Sequence, residues 1–110
     1  MIQETISKIE TRLHQSGALD AKGRGELLEL LETLKTEILE LSKTDAEQAR
    51  RIAGLTDASA RAATGEEGNP EALQSSLKDL VASVDGFEGS HPRLVELVNR
   101  LATALSNLGI

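Results

Sequence analysis

The residues best suited to chemistry are the two histidines. His14 stands one helical turn after Glu10, and His91 follows three residues after Glu88. An imidazole and a carboxylate at such a spacing can share a metal ion, but a structural metal site needs about four ligands. We therefore expect no metal, no cofactor and no catalytic residue, and we predict that the protein is not an enzyme.

His91 belongs to the stretch GFEGSHPRLVELVNRL, which also contains the only phenylalanine. A residue before proline is pushed out of helical geometry, and the N-cap of a helix needs a non-helical backbone. These requirements coincide if His91 is the N-cap and Pro92 is the first helical residue, although Ser90 is an alternative cap. We predict a structural helix break formed by Phe87, Ser90, His91 and Pro92.

The composition limits the classes of partner. The 110 residues include 18 acidic and 12 basic side chains, for a net charge of −6. Nucleic-acid binding normally requires a basic surface, so we expect no nucleic-acid partner. No stretch approaches the ~18 apolar residues of a membrane span, so we expect no membrane partner. Cysteine is absent, which is compatible with the cytoplasmic location that we predict.

The elements that must position these residues are helices, and the chain reads as one all-α domain over residues 1–110. Strong helix formers dominate, and a single aromatic residue suits thin apolar layers between helices. We predict a loop at 64–69 and helices over residues 2–15, 24–62, 70–86 and 92–108. The predicted caps are Asp20 and Asn69 at helix starts and Gly109 at the last helix end.

The continuity of the 24–62 segment is open. Its leucine stripe reaches two polar positions, Asp45 and Gln48, and the residues Thr44–Glu47 match a capping box that would start a new helix. One helix kinked near residue 44 and two separate helices both fit this pattern. The continuous form would be about 58 Å long. Packed against 70–108, it would make a long antiparallel helical hairpin with the short N-terminal helix folded against it.

Large apolar residues alternate at spacings of four and three, as in the seam of a coiled coil. The predicted seam positions are Leu27, Leu31, Leu34, Ile38, Leu41, Leu94, Val98, Leu101 and Leu105. One hairpin leaves the wide apolar face of residues 26–42 uncovered. We therefore predict that the seam forms both core and oligomer contacts, and that the chain makes a homodimer or a higher oligomer. An unknown protein is the other partner that this face would suit.

The closing stretch, FEGSHPRLVELVNRLATALSNLGI, resembles the C-terminal signature of a family of small bacterial proteins, domain of unknown function 4404. That signature is Phe-Glu-x-x-His-Pro-x-Leu followed by Asn-x-Gly-Ile, and the matching residues are Phe87, Glu88, His91, Pro92, Leu94, Asn99, Leu105, Asn107, Gly109 and Ile110. The resemblance implies a helical, bacterial, cytoplasmic protein and implies no reaction. The alanine-rich residues 44–65 look like an expansion of a shorter connector in other members.

Two functions follow as hypotheses. The first is a non-catalytic helical oligomer that serves as a structural or protein-interaction module. The second is a regulatory binding protein in which the break at Phe87–Pro92 senses a ligand, a metal or pH.

Overall fold

The computed structural model describes residues 2–17, 19–64 and 70–108, with the backbone alone at residue 108. Its elements are α1 (Ile2–Gln15), α2 (Ala21–Ser42), α3 (Ala46–Thr64), α4 (Pro70–Val84), a 3₁₀ turn (Asp85–Phe87) and α5 (Pro92–Leu108). These residues include no strand and no helix long and apolar enough to cross a membrane. The all-α prediction is therefore confirmed. The predicted caps Asn69 and Gly109, and the predicted loop after Thr64, fall outside the described residues.

The 24–62 segment is two helices. The α3 helix begins directly after a turn in which Oδ1 of Asp45 accepts a hydrogen bond from the backbone N–H of Gln48 at 3.2 Å. Asp45 is therefore the cap, one residue later than the predicted capping box, because the hydroxyl of Thr44 donates instead to the carbonyl of Leu41 at 3.2 Å. The polar residues that interrupt the leucine stripe thus end one helix and start the next.

A short bundle takes the place of the long hairpin predicted for 24–62 against 70–108. The α2 and α3 helices pack side by side, as do α4 and α5. The molecule measures 37 × 23 × 22 Å, against about 58 Å for one unbroken arm. The amide Nε2 of Gln74 near the start of α4 lies 3.4 Å from Oγ of Ser106 near the end of α5. These two helices therefore run antiparallel. The connection at 85–91 is long enough for the chain to reverse its direction.

The α3 helix packs against all four other helices. Its buried face is made mostly of small residues: Ala49, Ile52, Ala53, Thr56, Ser59 and Ala60. The hydroxyls of Thr56 and Ser59 donate to carbonyls one turn earlier in α3, at 2.7 and 2.9 Å. These buried polar groups are thereby satisfied, and small side chains allow several neighbours to surround one helix.

The α1 helix covers α2 and α3 with its buried residues Ile2, Ile6, Ile9 and Leu13. Asp20 caps α2, as predicted, by accepting from the backbone N–H of Gly23 at 2.7 Å. In the first turn of α2, the Arg24 guanidinium donates at 3.0 to 3.2 Å to the carbonyls of Leu13, Ser16 and Leu19. Leu13 lies in the last turn of α1, and Ser16 and Leu19 follow that helix. Arg24 therefore fastens the end of α1 to the start of α2.

Candidate interaction surface

The predicted seam lies inside a single chain. The most exposed of its nine residues retains 3% of its accessible surface, and the nine are Leu27, Leu31, Leu34, Ile38, Leu41, Leu94, Val98, Leu101 and Leu105. They form the intrachain core because the bundle folds α5 back onto α2 and α4. Side chains buried in this way cannot contact a second copy while the bundle is intact. The oligomer contacts predicted for them therefore need another surface.

The predicted helix break is found at the start of α5. Pro92 is the first helical residue, and the carbonyl of His91 accepts from the N–H of Val95 at 3.3 Å. His91 is therefore at the N-cap position, while Ser90 is exposed. The His91 ring meets Phe87 edge-on, with ring centroids 5.9 Å apart and an interplanar angle of 74°. This aromatic contact and the turn geometry account for the break as a structural element.

Neither histidine lies in a cluster of metal-ligating side chains. Within residues 2–17, 19–64 and 70–108, no three His, Asp or Glu groups are placed to hold a metal ion together. His14 is exposed on α1, and Glu88 is exposed near the half-buried His91.

A polar cleft lies between α1 and the end of α3. It is lined by Ser7, Lys8, Thr11, Arg12, Gln15, Ser16 and Thr64. The hydroxyls of Thr11 and Thr64 already donate to carbonyls of their own helices, at 3.0 and 2.7 Å. Arg12, whose Nε is buried without a hydrogen-bond partner, lies in the last turn of α1. Cations offset the negative end of the helix dipole there, so a stabilising role accounts for this arginine.

A second depression, which we call the α2–α5 groove, runs between those two helices. Its floor is formed by Leu30 of α2 with Leu97 and Ala104 of α5. Leu97 is buried, whereas Leu30 and Ala104 remain half-buried. The floor is therefore an apolar strip that the rest of the described chain covers only in part.

The two edges of the α2–α5 groove carry opposite charges. Glu26 and Glu29 line it from α2, and Arg93 and Arg100 line it from α5. All four side chains are exposed. Ion pairs of the described residues such as Lys35–Glu32, Lys43–Glu40 and Arg61–Asp57 lie away from the groove. Beside Leu30 and Leu97, the groove thus lies between an acidic edge and a basic edge. Its other part, beside Ala104, is lined by uncharged polar residues and Arg100.

Sequence reasoning identified only half of this surface. Leu30 lies within the apolar face of residues 26–42, which the predicted hairpin leaves uncovered. Arg93 and Arg100 were not singled out, although they stand two turns apart on one stripe of α5. Their position opposite the glutamates depends on the packing of α5 against α2, which periodicity does not reveal.

The comparison with known families concerns α2 to α5. The sequence-family model of a domain of unknown function, DUF4404, matches residues 27–110. This range includes the helix break and, apart from Glu26, the residues of the α2–α5 groove, and it excludes α1. No curated protein and no solved structure matches the chain. Because the family model spans well over half of the sequence, the chain belongs to the DUF4404 family.

Proposed function

We propose that the protein is a non-catalytic helical module that works by assembling with itself in the cytoplasm. The observation that supports this proposal is the α2–α5 groove, whose half-buried floor lies between two rows of exposed charges. An apolar centre surrounded by a polar rim is the usual anatomy of a protein–protein interface. A chain without cysteine folds without an oxidising compartment, which favours the cytoplasmic location.

The position of Leu30 makes the proposal specific. Its neighbour Leu31 is fully buried, whereas Leu30 lines both parts of the groove and stays half-buried. Burial of apolar surface is the main favourable contribution to association. Covering the remaining surface of Leu30 would therefore contribute to binding without any change in the intrachain core.

The replacement Leu30→Gln tests this function. Glutamine keeps a good helix former of similar length while removing the apolar floor. We expect the wild-type chain to self-associate in sedimentation equilibrium at about 100 μM, since interfaces of standard area have dissociation constants that begin in the micromolar range. We expect the variant to associate about tenfold more weakly, the effect of losing about 1.4 kcal/mol.

The matched control is Leu28→Gln. Leu28 lies on the same helix and is also half-buried, but it does not line the groove. The Leu28→Gln variant should lose some thermal stability and keep the association constant of the wild type. A wild-type chain that sediments as a monomer at about 100 μM, or equal weakening by both replacements, would contradict the proposal.

A further inference from the structure

The charged edges of the α2–α5 groove indicate how the second copy is oriented, on the condition that the self-assembly proposed above occurs. We propose that two copies dock groove to groove about a two-fold axis parallel to the helices. The α2 helix of each chain then faces the α5 helix of the other. The acidic edge of each copy meets the basic edge of its partner.

The proposed orientation follows from the positions of the charged residues along the helix axes. Glu29 and Arg100 line the same depression from opposite helices, and we infer from this shared lining that they lie at about the same level along the bundle. A two-fold interface places the same patch of both subunits in contact. Rotation about an axis along the helices exchanges the two edges and preserves that level. Glu29 of each copy is thereby placed opposite Arg100 of the other, and each pair occurs twice.

The other closed arrangement brings like charges together. A two-fold axis running across the helices would place α2 against α2, so that Glu26 and Glu29 would face the same residues of the second copy. Arg93 and Arg100 would face each other in the same way. Like charges opposed across an interface cost free energy and suppress the wrong arrangement. The charge pattern therefore favours the axis parallel to the helices.

The dimensions of the bundle fit a small interface. Its broad face measures at most 37 × 23 Å, about the ~800 Å² that each partner contributes to a standard interface. The groove takes up only part of that face, so the interface is smaller than the standard size. Within that face, the uncovered apolar floor is narrow and the charged edges are exposed. Screening by salt weakens exposed charge pairs, so we expect association to weaken as the salt concentration rises.

Two charge reversals test the orientation: Arg100→Glu and Glu29→Arg. In the proposed dimer, either variant alone places like charges opposite each other twice. We expect each homodimer to weaken by about tenfold, because two small pair terms change sign. An equimolar mixture of the two variants restores opposite charges at both places. The mixture should therefore form a heterodimer of near wild-type affinity, measured by native mass spectrometry of chains with different tags.

The control variants are Lys78→Glu and Asp79→Arg. Both residues are exposed on α4, away from the groove, and the replacements make the same changes in net charge. They should leave association unchanged. Circular dichroism of all four variants should show the helical signal of the wild type, because no buried group is altered.

The outcomes separate this inference from the function on which it rests. If each reversal alone associates like the wild type and only the mixture associates more tightly, α2 faces α2 and the proposed orientation is wrong. If association is unaffected in every sample, another surface is used, so the orientation fails while self-assembly stands. If the wild-type chain is monomeric throughout, both fail.

Discussion

At the scale of single residues, Arg24 shows how one side chain joins two helices. Its guanidinium donates to three carbonyls at and beyond the end of α1, and it is only partly exposed. Hydrogen bonds from a charged donor are stronger than those between neutral groups. The fork of the guanidinium also fixes the direction of the donors. Arg24 therefore holds the position of α1 as well as satisfying its terminal carbonyls.

We expect Arg24→Ala to lower the free energy of unfolding by about 1–3 kcal/mol, because it removes three hydrogen bonds from a charged donor. Arg24→Lys should recover only part of this loss, since an ammonium group lacks the planar fork of donors. Urea denaturation measures both changes. Arg51→Ala, on the exposed side of α3, is the control and should change stability by about 0.5 kcal/mol or less. Equal effects of the alanine replacements of Arg24 and Arg51 would refute this role.

Sequence patterns of neighbouring residues predict helix caps and helix starts, but they do not predict contacts between segments that are far apart in the chain. The cap at Asp20 and the helix start at Pro92 depend on neighbouring residues, and both are found. At Thr44 and Asp45 two local hydrogen bonds compete, and the sequence pattern does not reveal which side chain caps α3. The contacts of Arg24 join segments whose relative position is set by packing.

At the scale of helices, the leucine pattern identifies the buried faces but not their partners. A stripe with spacings of four and three suits a long coiled coil and also a short bundle. The stripe continues from Leu73 to Leu105 across the break before Pro92. In the structure both helices turn these faces toward one core, although they run antiparallel. A shared register is therefore compatible with a reversal of the chain.

The α1 helix lies outside the range that the family model matches and still belongs to the same core. Ile9 is almost fully buried where α1 packs against α2 and α3. A helix attached in this way should unfold together with the other helices, since its loss would expose part of the central helix α3. The α1 helix is therefore an integral part of the bundle.

We expect Ile9→Ala to destabilise the whole chain by about 2–5 kcal/mol, the usual loss for an aliphatic residue buried in a core. Urea denaturation should remain a single transition, and hydrogen exchange of the α3 amides should accelerate with it. Lys8→Ala, at an exposed neighbouring position, is the control and should have little effect. An early transition confined to α1, with the remaining helices unchanged, would contradict the integration of α1.

At the scale of the whole molecule, one chain buries its own apolar core without a second copy. With a single aromatic residue, the core depends on aliphatic and small side chains, and α3 lets one chain pack them. Its small buried residues allow four helices to surround it, so the leucines and isoleucines of the other helices meet in one core. In the self-assembly that we propose, association uses the surface of a folded bundle, and losing a partner should leave that bundle intact.

The most direct test of this account is dilution of the wild-type chain from about 100 μM to about 0.1 μM, across the range in which mass action dissociates a weak dimer. Sedimentation measures the mass and far-ultraviolet circular dichroism measures the helix content of the same samples. We predict that the mass falls to that of one chain, 11.8 kDa, while the helical signal per residue stays constant. Loss of helix in step with dissociation would show that the second chain completes the core, and would contradict the account.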